Sequence, residues 1–144
     1  MAASVEQLVS HYERILADRM TGLPFLNPML DIEAVDFRDF DGHQVGVLIT
    51  PWFMNLIVLP GNDEWDAIPQ GELSQLVLPA GRMEFNVAHD ENLGTLLSAV
   101  LFTTVADFPD ALMARAVAAE IMNELFTDAE APTMNRRDLF TRSA

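Results

Sequence analysis

The segment from Gly46 to Gly61 constrains the fold most, because two short apolar runs meet there at a Thr50-Pro51-Trp52 corner. The runs, residues 47–49 and 56–59, are rich in β-branched residues and leucine. Glycine or proline bounds each of them, which is typical of strands that end at turns. Proline cannot donate a hydrogen bond to a strand ladder, so the strands separate at Pro51. Neither run approaches the ~20 apolar residues of a membrane helix. The segment therefore predicts the sheet core of a folded domain.

Helical patterns flank this core. Ser4 and Gln7 predict a capping box before an amphipathic pattern that Gly22 can end. Asp107 and Pro109 suit the start of a second helix. The predicted strands between them cover residues 30–40, 43–50, 53–59, 73–78, 82–87 and 95–103, although the last segment lacks a clear period and a helix stays open there. The fold class is α+β: a mostly antiparallel sheet of about five or six strands, meander-like, packed on one face by N- and C-terminal helices.

Turn and linker signals complete the organisation. Asp41-Gly42 is typical of a type I′ hairpin, whose central residues both need positive φ. Leu23–Pro28 carries two prolines, which predict an extended or turning connection. Residues 127–135 combine acids, alanines and a proline without a period and predict a linker. We therefore expect one α+β domain over residues 1–128 and a flexible C-terminal tail over residues 129–144.

Composition excludes several classes of function. The net charge of −14, from eight basic and 22 acidic residues, repels phosphate backbones and anionic lipids, so it argues against nucleic acid and membrane partners. All basic residues are arginines, which excludes a Schiff-base lysine and a P-loop lysine. The absence of cysteine excludes thiolate nucleophiles, thiolate metal sites and disulfides. The N-terminus has the pattern of an acidic amphipathic segment rather than a signal peptide, so we expect a cytoplasmic protein.

The charge is unevenly distributed. Residues 1–135 hold five arginines and 21 acids, whereas residues 136–144 hold three arginines and one aspartate. One interpretation is ordinary surface charge that keeps a protein in solution. The other is an acidic body suited to cationic segments of a partner, with the basic tail as a separate recognition element.

Catalytic signals are weak. No Gly-x-Ser-x-Gly motif is present, and the three histidines lie far apart in sequence. Acids cluster around Trp65, but the ligand spacing of an EF-hand is missing, so a solvated acidic loop is favoured over a calcium or acid–base site. We predict no catalytic residue, metal or cofactor. The alternative enzyme, metal-dependent or acid–base, would use Asp63, Glu64, Asp66 and His89.

The Thr50-Pro51-Trp52 corner is the best candidate for a binding surface. Pro51, Trp52, Phe53 and Met54 concentrate large apolar groups at a strand end, and aromatic and methionine side chains make strong, adaptable contacts. The alternative is that Trp52 and Phe53 fill the core between sheet and helix.

Three segments together resemble the HybE-type [NiFe]-hydrogenase assembly chaperones. They are Gly22–Pro28 (Gly-Leu-Pro-Phe-Leu-Asn-Pro), the Gly46–Gly61 block with Ile49-Thr50-Pro51-Trp52, and Arg136-Arg137-Asp138-Leu139-Phe140. The resemblance implies a cytoplasmic, cofactor-free chaperone, not an enzyme, that binds precursors of the large subunit, the small subunit or both before assembly or twin-arginine export. The expected partner-binding residues are Leu23, Pro24, Thr50, Pro51, Trp52, Phe53, Met54, Arg136, Arg137, Leu139 and Phe140. A structural subunit of a larger complex is a further alternative.

The tail also resembles a twin-arginine export signal, Arg-Arg-x-Phe-Leu. Only four residues follow Phe140, so we do not expect the tail to act as a signal itself. One hypothesis is mimicry, in which the tail occupies an acidic groove of its own chaperone until a signal peptide displaces it. The alternative is a solvated tail with an apolar clip.

Overall fold

The computed structural model describes residues 4–20 and 22–127. Its elements are the helix α1 (Val5–Ile15), a π-helical turn (Leu16–Met20), strands β1 (Glu33–Phe40), β2 (His43–Thr50), β3 (Phe53–Leu59), β4 (Leu73–Leu78), β5 (Gly81–Asp90) and β6 (Gly94–Phe102), and the helix α2 (Ala111–Leu125). The predicted capping box opens α1: Gln7 N–H donates to Ser4 Oγ at 3.1 Å, and Ser4 N–H donates to Gln7 Oε1 at 2.8 Å.

The six strands form one antiparallel sheet in the order β1-β2-β3-β6-β5-β4. The predicted fold class, α+β with an antiparallel sheet and two terminal helices, is confirmed. Each half of the sheet is a meander, but β6 returns to pair with β3, where Leu56 lies opposite Ala99. The sheet is therefore two joined meanders rather than one.

The two helices cover opposite faces of the sheet. Side chains alternate along a strand, so Leu48 points away from its neighbours Val47 and Ile49. Val47 and Ile49 share a buried cluster with Ala114, Ala118 and Met122 of α2, whereas Leu48 shares a second cluster with Leu8 of α1. The expectation that both helices pack on one face is wrong. β2 is buried on both sides, as its unbroken apolar run allows.

The predicted turn between β1 and β2 is present, whereas the second helix begins later than predicted. Asp41 and Gly42 have φ values of 53° and 83°, both positive as predicted. The α2 N-cap is Asp110, whose Oδ1 accepts from Met113 N–H at 2.8 Å, so this helix begins later than Asp107 suggests. Among the described residues, no helix is both long enough and apolar enough to cross a bilayer. The predicted tail, residues 129–144, lies outside them.

Candidate partner-binding site

One hydroxyl group holds the corner between β2 and β3. Thr50 Oγ1 accepts hydrogen bonds from the backbone N–H groups of Trp52 (3.2 Å) and Phe53 (2.9 Å) and donates to the Phe53 carbonyl oxygen (3.3 Å). Thr50 is fully buried, so water does not compete for these bonds. Pro51 occupies the first central position of the turn, where its fixed φ is favourable. The corner is therefore a defined, rigid element.

Contacts between aromatic rings attach the corner to α1. Trp52 and Phe53 pack edge to face with ring centroids 5.6 Å apart, and Tyr12 lies 5.7 Å from Phe53 and 6.4 Å from Trp52. Trp52 and Phe53 are each half-buried, so each leaves part of its surface to solvent. Burial raises the pKa of the Tyr12 hydroxyl above its usual 10.0, and the Asp90 carboxylate raises it further. The phenol is therefore neutral at pH 7.

Asn27 ties the loop before β1 to two distant segments. Its backbone N–H donates to the Pro51 carbonyl oxygen at 2.8 Å. Its side-chain Nδ2 donates to the carbonyl oxygens of Val105 (2.8 Å) and Phe108 (2.9 Å), and its Oδ1 accepts from Met29 N–H (2.9 Å). Asn27 is buried, and these bonds satisfy both of its amide groups. It therefore fixes residues 23–30 against the Thr50–Phe53 corner.

A groove of about 450 Å³ lies where these segments meet. We call it the corner groove; its lining residues are Leu16, Gly22, Leu23, Leu26, Asn27, Pro28, Leu30, Asp31 and Pro51. Most of this lining is apolar, and Asp31 is its one ionisable member. Phe25 and Met29, from the same loop, are 59% and 56% exposed. An apolar depression beside exposed apolar side chains and a carboxylate is suited to a polypeptide with apolar and cationic groups.

The structure brings several predicted partner-binding residues together. Leu23 and Pro51 both line the corner groove, and Pro24 is exposed in the same loop as Leu23. Trp52 and Phe53 lie at the corner itself. For these two residues, partial burial against α1 combines the two alternatives weighed from sequence, a surface and a core filler.

Two predicted contact residues are placed otherwise. Met54 is fully buried in the cluster under α2, so its side chain is a core residue and cannot contact a partner at this surface. Thr50 is also fully buried and shapes the corner from within through its hydroxyl. The remaining predicted residues, Arg136, Arg137, Leu139 and Phe140, lie outside the described part of the chain.

The residues of the site that were missed in the sequence include Phe25, Asn27, Met29 and the groove carboxylate Asp31. Phe25 and Met29 stand in a proline-containing loop without periodicity, and their only signal is that large apolar side chains in such a loop have no strand or helix face to bury them. The tertiary role of Asn27 had no usable signal, since the two carbonyl groups that accept from its Nδ2 lie 78 and 81 residues away.

The acidic loop is engaged in local structure. Asp66 Oδ1 accepts from Thr95 Oγ1 at 2.7 Å, and the His89 ring contacts Thr95 Oγ1 at 3.1 Å and the Ile68 carbonyl oxygen. Glu64 lies 3.6 Å from His43. Within residues 4–20 and 22–127, no three histidine or carboxylate side chains are grouped closely enough to hold a metal ion. These contacts attach the loop to β2, β5 and β6.

A family model described as the [NiFe]-hydrogenase assembly chaperone HybE matches residues 3–142. The chain belongs to the HybE family. This membership confirms the resemblance found in residues 22–28, 46–61 and 136–140, and it identifies the protein as a hydrogenase assembly chaperone.

Curated relatives and a solved structure agree with HybE membership. The chain is 40% identical to the hydrogenase expression/formation protein HupT of Azotobacter chroococcum mcd 1, over 95% of this chain and 94% of HupT. It is 40% identical to the hydrogenase expression/formation protein HoxT of Azotobacter vinelandii, over 96% and 91% of the two chains. The solution structure of HybE from Escherichia coli superimposes with a TM-score of 0.68 at 25% identity, covering 94% of this chain and 86% of that one.

Proposed function

We propose that this HybE-family chaperone binds precursors of the large subunit, the small subunit or both at the corner groove, in the cytoplasm and before assembly or export. The observation that carries the proposal is the exposure of Phe25 and Met29 beside an apolar groove of about 450 Å³. Exposed apolar surface of this kind marks a site for a protein partner. An immature subunit has not yet buried all of its own apolar groups and can supply the complementary surface.

Charge supports a partner with basic segments. Residues 1–135 carry 21 acids against five arginines, so the body attracts cationic polypeptides at long range. Asp31, on the groove lining, can pair with an arginine or lysine that flanks the bound apolar residues. Such steering raises the association rate, and salt weakens it. We therefore expect precursor binding to weaken as ionic strength rises.

The first experiment is capture of the tagged full chain from its native host during hydrogenase expression, with bound polypeptides identified by mass. Recovery of subunits with an uncleaved signal or an unprocessed terminus supports the proposal. Recovery of mature enzyme alone would assign the protein to a finished complex and overturn it. Recovery of no hydrogenase polypeptide would also overturn it.

A matched pair of double variants then locates the surface. Leu23→Ala with Phe25→Ala removes apolar area beside the groove, whereas Leu73→Ala with Val77→Ala removes comparable exposed area on β4. We expect the first pair to weaken precursor binding roughly tenfold or more, as truncation of interface anchors does, and the second pair to leave it unchanged. Equal effects of the two pairs would remove the corner groove as the binding site.

The tail is a second part of this proposal. We propose that Arg136, Arg137, Leu139 and Phe140 imitate a twin-arginine signal and compete with it for the acidic body. Deletion of residues 136–144 should then raise the affinity for a synthetic twin-arginine signal peptide, because an internal competitor is lost. Unchanged affinity after the deletion would count decisively against mimicry.

A further inference from the structure

The two edges of the sheet differ in their protection. The β1 edge carries Glu33, Asp36, Arg38 and Asp39, and its register shifts between Val35 and Arg38, where Asp36 adopts a positive φ of 53°. Charges and bulges of this kind prevent an edge from pairing with another chain. The β4 sequence, Leu-Ser-Gln-Leu-Val-Leu, has no charge and no proline, and its pairing with β5 is regular throughout. Among the described residues, β4 is therefore the unprotected edge of the sheet.

The backbone of β4 has a defined outward set of hydrogen-bonding groups. Val87 N–H donates to the Glu72 carbonyl oxygen at 2.9 Å. The backbone N–H and C=O groups of even-numbered residues in this strand therefore point toward β5. Because antiparallel strands alternate in the direction of these groups, Ser74, Leu76 and Leu78 direct theirs to β5. Leu73, Gln75 and Val77 therefore direct theirs out of the sheet, where the described residues provide no neighbouring strand.

The same three residues also expose their side chains. Leu73 and Val77 are 59% and 62% exposed, and Gln75 is exposed between them, whereas Leu76 and Leu78 are buried in the cluster under α2. The cluster under α1 contains no residue of β4, so that helix does not cover this part of the sheet. Within residues 4–20 and 22–127, the β4 edge thus combines backbone groups that have no strand partner with an apolar surface.

We propose that β4 pairs with β4 of a second copy of this chain, antiparallel and centred on Gln75. A two-fold axis at Gln75 places Leu73 opposite Val77 of the second copy, and each exposed apolar side chain gains an apolar neighbour. All three outward-directed residues then lie in hydrogen-bonded pairs, which gives about six backbone hydrogen bonds. The positions of Leu73 and Val77, each two residues from Gln75, provide this self-complementarity, and cyclic dimers are the commonest protein assemblies.

Charge gives this contact a distinctive salt dependence. Each copy carries a net charge of −14, yet β4 itself contains no ionisable side chain, and Arg82 and Glu84, opposite it on β5, carry opposite charges, so the bodies repel while the contact has no net charge. Added salt screens the repulsion, and the dissociation constant should fall roughly threefold or more between ~0.02 and ~0.5 M salt. Binding of a basic precursor has the opposite dependence. Salt therefore separates a second copy from an added strand of a client protein.

The experiment is sedimentation of the full chain over a range of concentrations, with two variants matched in chemistry. Gln75→Lys places two ammonium groups opposite each other at the two-fold axis, with Glu84 of β5 beside each of them, and should raise the dissociation constant roughly threefold to fivefold. Gln44→Lys makes the same change of charge on β2, where the new ammonium can keep the bond that Gln44 Nε2 donates to Asp39 at 2.6 Å. We expect that variant to dimerise like the unmodified chain or slightly more tightly.

A cysteine variant tests the register with a gain of signal. The chain has no cysteine, so Gln75→Cys introduces one thiol, and the paired Cα atoms would lie about 5.5 Å apart, within reach of a disulfide. We expect Gln75→Cys to form a covalent dimer under mild oxidation much faster than Gln44→Cys. Equal crosslinking of the two variants overturns the proposal. The proposal is also overturned if the unmodified chain sediments as a monomer at every concentration. If in addition Gln75→Lys weakens precursor capture, β4 binds a strand of a client protein instead.

Discussion

The corner groove and the β4 edge both expose apolar side chains, but different forces hold the two surfaces in place. At the corner, Phe25 and Met29 stand on irregular chain that depends on the amide of Asn27 and the hydroxyl of Thr50. At the edge, Leu73 and Val77 stand on a regular ladder whose hydrogen bonds are all backbone. A few side chains determine the first surface, whereas the sheet as a whole determines the second.

This difference predicts different partners. An irregular apolar groove with a carboxylate recognises side chains, so it suits the varied segments of a precursor. A straight, uncharged edge recognises backbone, and side chains only secondarily, so it suits another regular strand. The two surfaces should therefore respond separately to mutation.

The largest expected effect is that of Asn27→Ala. The variant loses three side-chain hydrogen bonds: the half-buried Phe108 carbonyl oxygen loses its side-chain donor, Met29 N–H loses its acceptor, and the Val105 carbonyl oxygen keeps only the bond from Phe108 N–H. Since each hydrogen bond contributes about 1 kcal/mol, we expect the free energy of unfolding to fall by roughly 3 kcal/mol. Denaturant titration measures the loss, and precursor capture should fall with it.

The exposed Asn86 provides the control for this variant. Asn86→Ala should change the free energy of unfolding by less than about 0.5 kcal/mol. At denaturant concentrations where Asn27→Ala remains folded, the self-association of this variant through β4 should match that of the unmodified chain. A parallel loss of dimerisation would mean that the two surfaces are coupled and do not respond separately to mutation.

A smaller effect is expected for Thr50→Val, which keeps the shape of the side chain and removes its hydroxyl. The N–H groups of Trp52 and Phe53 then lose their acceptor, so we expect a loss of about 1–2 kcal/mol in thermal or denaturant unfolding. Thr50→Ser retains the hydroxyl and removes only a methyl group, at a cost of about 1 kcal/mol or less. If valine is tolerated as well as serine, the hydroxyl does not hold the corner.

Local signals were sufficient to predict most of the strands of this fold. Apolar patterns and turn residues located five strands, because a hairpin is specified by neighbours in sequence, whereas residues 95–103 lacked a clear period and left a helix open until the structure showed β6. The pairing of β3 with β6 is different, since β4 and β5 separate Leu56 from Ala99 in sequence. The opposite placement of the helices could have been inferred from the unbroken apolar run in β2, which indicates burial on both faces.

The candidate site was predictable in part, for the same reason. The Thr50-Pro51-Trp52 corner is a local feature and was found, whereas Asn27 acts on carbonyl groups 78 and 81 residues away and was not. The placement of Met54 at the surface conflicted with alternation along β3. Because Phe53 and Met54 point to opposite faces, only one of them can lie at the corner.

The smallest effect expected is a pH dependence centred on Tyr12, the only tyrosine in the chain. Its folded pKa is raised above 10.0, first by burial and then by Asp90, so the folded state holds the phenolic proton more tightly than the unfolded state. The resulting stabilisation is complete below pH 10 and is lost as pH rises through the folded pKa. Tyrosinate absorbance should appear at a higher pH than that of free tyrosine, and Tyr12→Phe should remove this alkaline loss of stability.

Because Tyr12 contacts Trp52 and Phe53, a precursor bound at the corner should move the titration to still higher pH, whereas β4 pairing should not. If the Tyr12 hydroxyl titrates with the usual tyrosine pKa of 10.0, Tyr12 is exposed to water and does not pack the corner against α1.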